Sequence, residues 1–137
     1  FLSFLNKKNI FFYTSLFLSI ILWFRSETTR GGNRIDCNKL TNLVNKESAC
    51  LVDVRPRSEF EAGAIAGSVN IPFDELENRN DELLKQKENP IVLVCKMGRN
   101  AALAGEKMQT YGYKKTHVLQ GGISTWQQEG LPLVKVK

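Results

Sequence analysis

Residues that could organise the chain through metal or disulfide bonds are few. One histidine and three cysteines, Cys37, Cys50 and Cys95, are spread through 137 residues with no C-x-x-C pair among them. A structural zinc site wants four ligands at paired spacing and a disulfide framework an even, dense set, so neither is expected. Excess positive charge is also scarce where it would count. Of the net +5, residues 1–34 hold Lys7, Lys8, Arg25, Arg30 and Arg34 against Glu27, which leaves 14 basic and 13 acidic side chains in 35–137. That near-neutral part argues against a nucleic-acid partner. No internal repeat or low-complexity tract is present.

What is present first is an apolar run over 10–24, interrupted only by Tyr13, Thr14, Ser15 and Ser19. It is slightly short of the ~20 residues of a usual membrane span, a gap that Lys8 and Arg25 could close by snorkelling, and Trp23 sits near one end as an interfacial aromatic would. A cleaved signal would need a small-x-small site, but Trp23-Phe24-Arg25-Ser26-Glu27 follows. A buried amphipathic helix would need one polar face, whereas the apolar residues cover every face. The expectation is a transmembrane anchor over 10–25 after a short flank, 1–9, and before a linker, 26–34. The local basic count leans slightly toward a cytoplasmic C-terminal part. The chain opens on Phe1 rather than Met, which leaves its true N-terminus open.

From residue 35 onward short apolar runs alternate with helical patterns. Strands are predicted at 35–36, 49–54, 69–71, 91–94 and 116–119. Helices are predicted at 38–46, from a Ser58/Glu61 capping box, at 74–87, at 101–111 and at 123–129. That alternation is the mark of an α/β domain with a parallel sheet. Cys37 and Cys50 read as packing residues, His117 as a strand residue without catalytic role, and Trp126 as core.

The stretch with chemistry in it is Cys95-Lys96-Met97-Gly98-Arg99-Asn100-Ala101. It leaves the run Ile91-Val92-Leu93-Val94 and enters a helix. A cysteine there faces the unpaired N–H groups of a helix start, which lower a thiol's pKa, and Gly98 permits angles that turn successive N–H groups onto one anion. Lys96 and Arg99 add charge at the mouth. Such a seat would favour a thiolate or persulfide and attract an anionic sulfur donor. The local pattern alone also fits a small residue ending a buried strand.

Several separated pieces, in order, give the chain from about 35 to 132 its resemblance to single-domain rhodaneses. They are Leu51-Val52-Asp53-Val54-Arg55 with Glu59-Phe60 and Gly63; Ile65, Gly67 and Asn70-Ile71-Pro72; 91–95 with Gly98; and Leu119-Gln120-Gly121-Gly122-Ile123 with Trp126. The resemblance implies a three-layer α/β domain over 35–137, with a five-stranded parallel sheet and Cys95 opening a six-residue loop that ends at Asn100. It extends to small bacterial members with one membrane anchor, which implies a single-pass inner-membrane protein whose domain is cytoplasmic. The implied reaction moves sulfane sulfur from a thiosulfate-like or persulfide donor to a thiol, possibly protein-borne, or to cyanide, through a Cys95 persulfide. In it, Lys96, Met97, Gly98, Arg99, Asn100, Ala101 and Arg57 contact substrate, while Asp53 and Arg55 support the site.

Two departures from the family pattern stand out. Ala64 stands where histidine is common, and Asn100-Ala101 where arginine and serine often close the loop. They keep open a catalytically weak interaction or sulfur-carrier module as the alternative. A phosphatase on the related fold would need Cys-x5-Arg, and Ala101 occupies the arginine position.

Overall fold

A computed structural model describes residues 7–28 and 31–136, with side chains described over 9–23 and 31–136. The first six residues of the expected flank, and residues 29 and 30 of the expected linker, lie outside these.

Five parallel strands, β1 (Asn33–Ile35), β2 (Cys50–Asp53), β3 (Val69–Asn70), β4 (Ile91–Val94) and β5 (Thr116–Leu119), form one sheet in the order β1-β5-β4-β2-β3. Helices α2 (Cys37–Glu47), α3 (Arg57–Ala62), α4 (Leu76–Arg79), α5 (Arg99–Thr110) and α6 (Gly122–Gln128) connect or follow them. The central β4 is buried on both faces, and its alternation divides the core. Ile91 and Leu93 join Val52, Ile71, Leu76, Met108 and Val118 on one side; Val92 and Val94 join Leu40, Leu43, Leu51, Leu119 and Trp126 on the other. Period-two alternation with apolar residues in both registers is what a parallel strand between two helical layers requires.

The N-terminal helix α1 (Lys7–Thr28) corrects the anchor expectation. Among the described residues no helix is long and apolar enough to cross a membrane. The physical reason lies at its ends: Lys7, Lys8, Arg25 and Glu27 bound the apolar stretch 10–24, which rises only about 22 Å against a hydrocarbon core of about 30 Å. The transmembrane helix before the sheet, the resemblance to membrane-anchored members, the single-pass assignment and the inner-membrane location that rested on them are therefore withdrawn. The side chains of 10–23 are exposed.

Three local expectations also change. Asp36, predicted as strand, caps α2 instead, its Oδ1 accepting the Lys39 N–H at 2.7 Å. The Ser58/Glu61 capping box does not form, because α3 starts at Arg57, two residues earlier, with Pro56 in the N-cap position and no side-chain cap bond. The helix predicted over 74–87 is broken into a 3-10 turn, α4 and a longer 3-10 stretch, Asn80–Gln86. Asn80 explains the break, since its side-chain amide donates to the Leu76 and Glu77 carbonyls while its own carbonyl accepts the Tyr113 hydroxyl. Gly31 and Gly32, which read as part of a flexible spacer, are buried; a Cβ on Gly31 would overlap the Ala102 carbonyl of α5, and one on Gly105 would overlap Gly31.

Candidate active site

Cys95 follows the last residue of β4, and three residues later Gly98, at φ +97°, opens α5. The turn folds two backbone N–H groups back onto the sulfur: Gly98 donates to Cys95 Sγ at 2.9 Å and Ala101 at 3.3 Å. Converging amides at a helix start supply positive potential to an anion without bringing a mobile charge. Met97, Arg99 and Asn100 send no N–H bond to the sulfur.

Two neighbouring segments hold this loop. Ile123 and Ser124, at the start of α6, donate their N–H groups to the Cys95 and Lys96 carbonyls at 2.9 and 3.0 Å. Gly122 makes the approach possible, because at φ +59° a Cβ there would overlap the Cys95 carbonyl oxygen and lie 2.8 Å from the Lys96 carbonyl carbon. The Ser124 hydroxyl contacts Met97 Sδ at 3.1 Å. On the other side, Val54 donates to the Val94 carbonyl at 2.9 Å, setting the β2 end beside the β4 end.

That β2 end carries a buried ion pair. Asp53 and Arg55 are 1% and 8% exposed. Arg55 reaches both carboxylate oxygens, with Nη2 to Oδ2 at 2.8 Å and Nε to Oδ1 at 3.0 Å, and Nη2 also donates to the Gly63 carbonyl at 2.6 Å. Asn70 Nδ2 closes the turn by donating to the Asp53 and Arg55 carbonyls at 3.0 and 2.9 Å. In the sequence Asn70 reads as a strand residue within the family-like piece Asn70-Ile71-Pro72, and neither reading shows these two bonds.

Cys95 lies in a cavity of about 430 Å³ that Arg55, Glu59, Lys96, Met97, Arg99 and Asn100 also line. Lys96, Arg99 and Glu59 form no ion pair among the described residues. The structure thus brings together the expected loop residues and Arg55. Arg57 stands elsewhere: it pairs with Glu61 at 2.9 Å and lines a separate cavity with Asn70 and Arg79. Ala64 is fully buried and exchanges backbone hydrogen bonds with Val134 at 2.9 and 2.8 Å, so the C-terminal segment covers the position where histidine is common in the resembled family.

The other cysteines are separated from this chemistry. Cys37 is 2% exposed, and burial, then a hydrogen bond to the Glu129 carboxylate and its charge, push its thiol up to about 11. Burial alone raises that of Cys50. A raised thiol pKa leaves little thiolate at neutral pH. At pH 8, brief exposure to iodoacetamide is therefore expected to alkylate Cys95 well before Cys37, as peptide mass mapping would read; equal rates at the two would refute this account of Cys37. His117 lies half-buried on β5 with its Nδ1 unpartnered, and burial, reinforced by the Lys39 charge, lowers its pKa. Among the described residues, no group of His, Cys, Asp and Glu is placed to hold a metal ion.

Comparison with known proteins agrees with this architecture. Residues 36–129 match the family model of the rhodanese-like domain. The chain is 38% identical over 98 residues to the uncharacterized protein YibN of Escherichia coli, covering 71% of this chain and 68% of that one. It is 31% identical to a sulfurtransferase of Allochromatium vinosum, covering 74% and 94%. Among solved structures, a rhodanese-related protein of Thermoplasma volcanium superposes with a TM-score of 0.67 at 29% identity, covering 74% of this chain and 97% of that one.

Proposed function

The chain belongs to the rhodanese-like domain family, a sulfurtransferase-like enzyme family, and from that premise we propose that its unit 35–137 transfers sulfane sulfur through a persulfide on Cys95. The observation that carries the reading is the convergence of the Gly98 and Ala101 N–H groups on Cys95 Sγ in a cavity bearing the cations of Lys96 and Arg99.

In the first half-reaction the Cys95 thiolate attacks the outer sulfur of a thiosulfate-like dianion. The new bond joins Sγ to that sulfur, the donor's S–S bond breaks, and sulfite leaves with the electron pair. Lys96 and Arg99 draw the dianion in, and Asn100 offers it a neutral amide donor. In the second half-reaction an acceptor thiolate, or cyanide, attacks the outer sulfur and the electron pair returns to Cys95 Sγ. The two amides face the sulfur throughout, so stabilisation of the thiolate requires no rearrangement when it is released. None of these steps requires a metal or organic cofactor.

The test is intact-mass analysis of the full chain after exposure to thiosulfate, followed by peptide mapping. The expected result is a gain of about 32 Da at Cys95, lost when cyanide or a thiol is added, as thiolate–sulfane exchange prescribes. A folded sample with an accessible Cys95 thiol that gains no sulfur from thiosulfate or from a polysulfide would overturn the proposal and favour an interaction module.

A further inference from the structure

The structure assigns Met97, in the middle of the cysteine loop, as an oxidisable site whose sulfoxide slows the entry of anions to Cys95. Its effect on sulfur loading rests on the persulfide route proposed above; the site itself does not. The chain has two methionines, and they stand in opposite surroundings. Met108 is fully buried on α5 in the cluster that holds Val52, Ile71 and Leu93, whereas Met97 is 66% exposed and lines the Cys95 cavity with Lys96 and Arg99. A side chain so exposed adds little packing, and what it presents to solution is a polarizable thioether.

A hydrogen-bond donor is already in place for the oxidised form. The Ser124 hydroxyl donates to Met97 Sδ at 3.1 Å, although thioether sulfur is only a weak acceptor. A sulfoxide oxygen is a much stronger one and carries partial negative charge. Ser124 is fixed where it stands, because its N–H donates to the Lys96 carbonyl at 3.0 Å and the Ile123 N–H to the Cys95 carbonyl at 2.9 Å. The new oxygen is therefore held against the cysteine loop.

The oxidant is a hydroperoxide from solution. A lone pair of Sδ attacks one peroxide oxygen, the O–O bond breaks, and the other oxygen leaves with that bond's electron pair and takes up the proton of the transferred oxygen. With hydrogen peroxide the leaving molecule is water; the sulfur is oxidised by two electrons and the peroxide reduced by two. The cavity wall then carries a sulfoxide oxygen near the cations of Lys96 and Arg99, which offsets part of their attraction for an anion. A dianionic donor is slowed most, a singly charged reagent less and a neutral one least. The change is reversible, since sulfoxide reductases return the thioether.

The test caps the thiols of the full chain as methyl disulfides, adds hydrogen peroxide, and then restores the cysteines with dithiothreitol, which leaves a sulfoxide intact. Peptide mapping is expected to find a gain of about 16 Da at Met97 at a rate at least about 20-fold that at Met108. Equal rates, or no gain at Met97, would overturn the site. In the oxidised protein, loading from thiosulfate is expected to slow about fivefold, and alkylation of Cys95 by iodoacetate relative to iodoacetamide to fall about twofold. Met97→Leu should show neither change on peroxide treatment. The alkylation ratio needs no sulfur transfer, so it stays informative if the Cys95 persulfide fails to form, and an unchanged ratio with Met97 fully oxidised would overturn the effect on anion entry. Ser124→Ala isolates the hydroxyl: it is expected to gain the same 16 Da at Met97, yet to lose less than about twofold in loading relative to its own unoxidised form. A loss as large as in the wild type would refute the held oxygen.

Discussion

Gly122→Ala is expected to lower stability by about 2–5 kcal/mol and to slow sulfur loading at Cys95 by about 100-fold. Two effects contribute. An L-residue forced into the left-handed region at φ +59° costs about 1–2 kcal/mol. The added methyl also overlaps the Cys95 carbonyl oxygen, so either α6 or the cysteine loop must shift, at about 1–3 kcal/mol for such overpacking. The shift lands on the loop because Ile123 and Ser124 hold its carbonyls, and displacement of Cys95 misaligns Sγ from the Gly98 and Ala101 amides. Gly67→Ala separates the two effects. Gly67 also has positive φ, at +83°, but no atom lies within 4 Å of the place its new methyl would take, so this variant is expected to lose stability from backbone strain alone and to load sulfur at the wild-type rate. Denaturant unfolding and the time course of the mass gain read both variants. Wild-type loading by Gly122→Ala would show that the α6 start does not set the position of the sulfur.

The legible parts of the sequence are those fixed by short-range pattern. Ile91-Val92-Leu93-Val94 has no polar residue to place on a solvent face, so a doubly covered central strand follows from it, and the glycine three residues after Cys95 marks where the chain turns into α5. What cannot be read locally is settled by partners distant in the chain. Nothing in the composition of 74–87 signals that Asn80 will take two helix carbonyls for its side chain while Tyr113, 33 residues away, binds its own carbonyl. Arg57 reads as the substrate contact and Arg55 as its support, yet Arg55, turned inward to Asp53, also lines the Cys95 cavity while Arg57 lies along α3 with Glu61. Gly121 and Gly122 read as a tight turn, and their contact with the cysteine loop depends on β4 and β5 being neighbours. The apolar run 10–24 reads as a span because its composition outweighs its length, although the charges bounding it are already in the sequence.

Arg55→Met should be the most destabilising single substitution near the site, by about 3–5 kcal/mol, because it strands a charge rather than because it removes a favourable bond. Asp53 is 1% exposed, and among the described residues its carboxylate oxygens are bonded, apart from the Arg55 backbone N–H at 3.0 Å, only by the Arg55 guanidinium. Methionine fills much of the same volume but leaves that carboxylate in a low-dielectric surround and the Gly63 carbonyl without its donor. Removing the charge as well should recover part of the loss, so the double variant Asp53→Asn, Arg55→Met is expected to be more stable than Arg55→Met alone, a coupling that a double-mutant cycle measures directly. If the double variant were instead less stable by the sum of the two single losses, the pair would not be acting as a unit. The β2 end would then be held by Asn70 and the Val54–Val94 bond without it. Sulfur loading tells the same two cases apart: a pair that positions the cavity wall slows loading in Arg55→Met, and partial recovery in the double variant would follow the restored fold rather than the absent guanidinium.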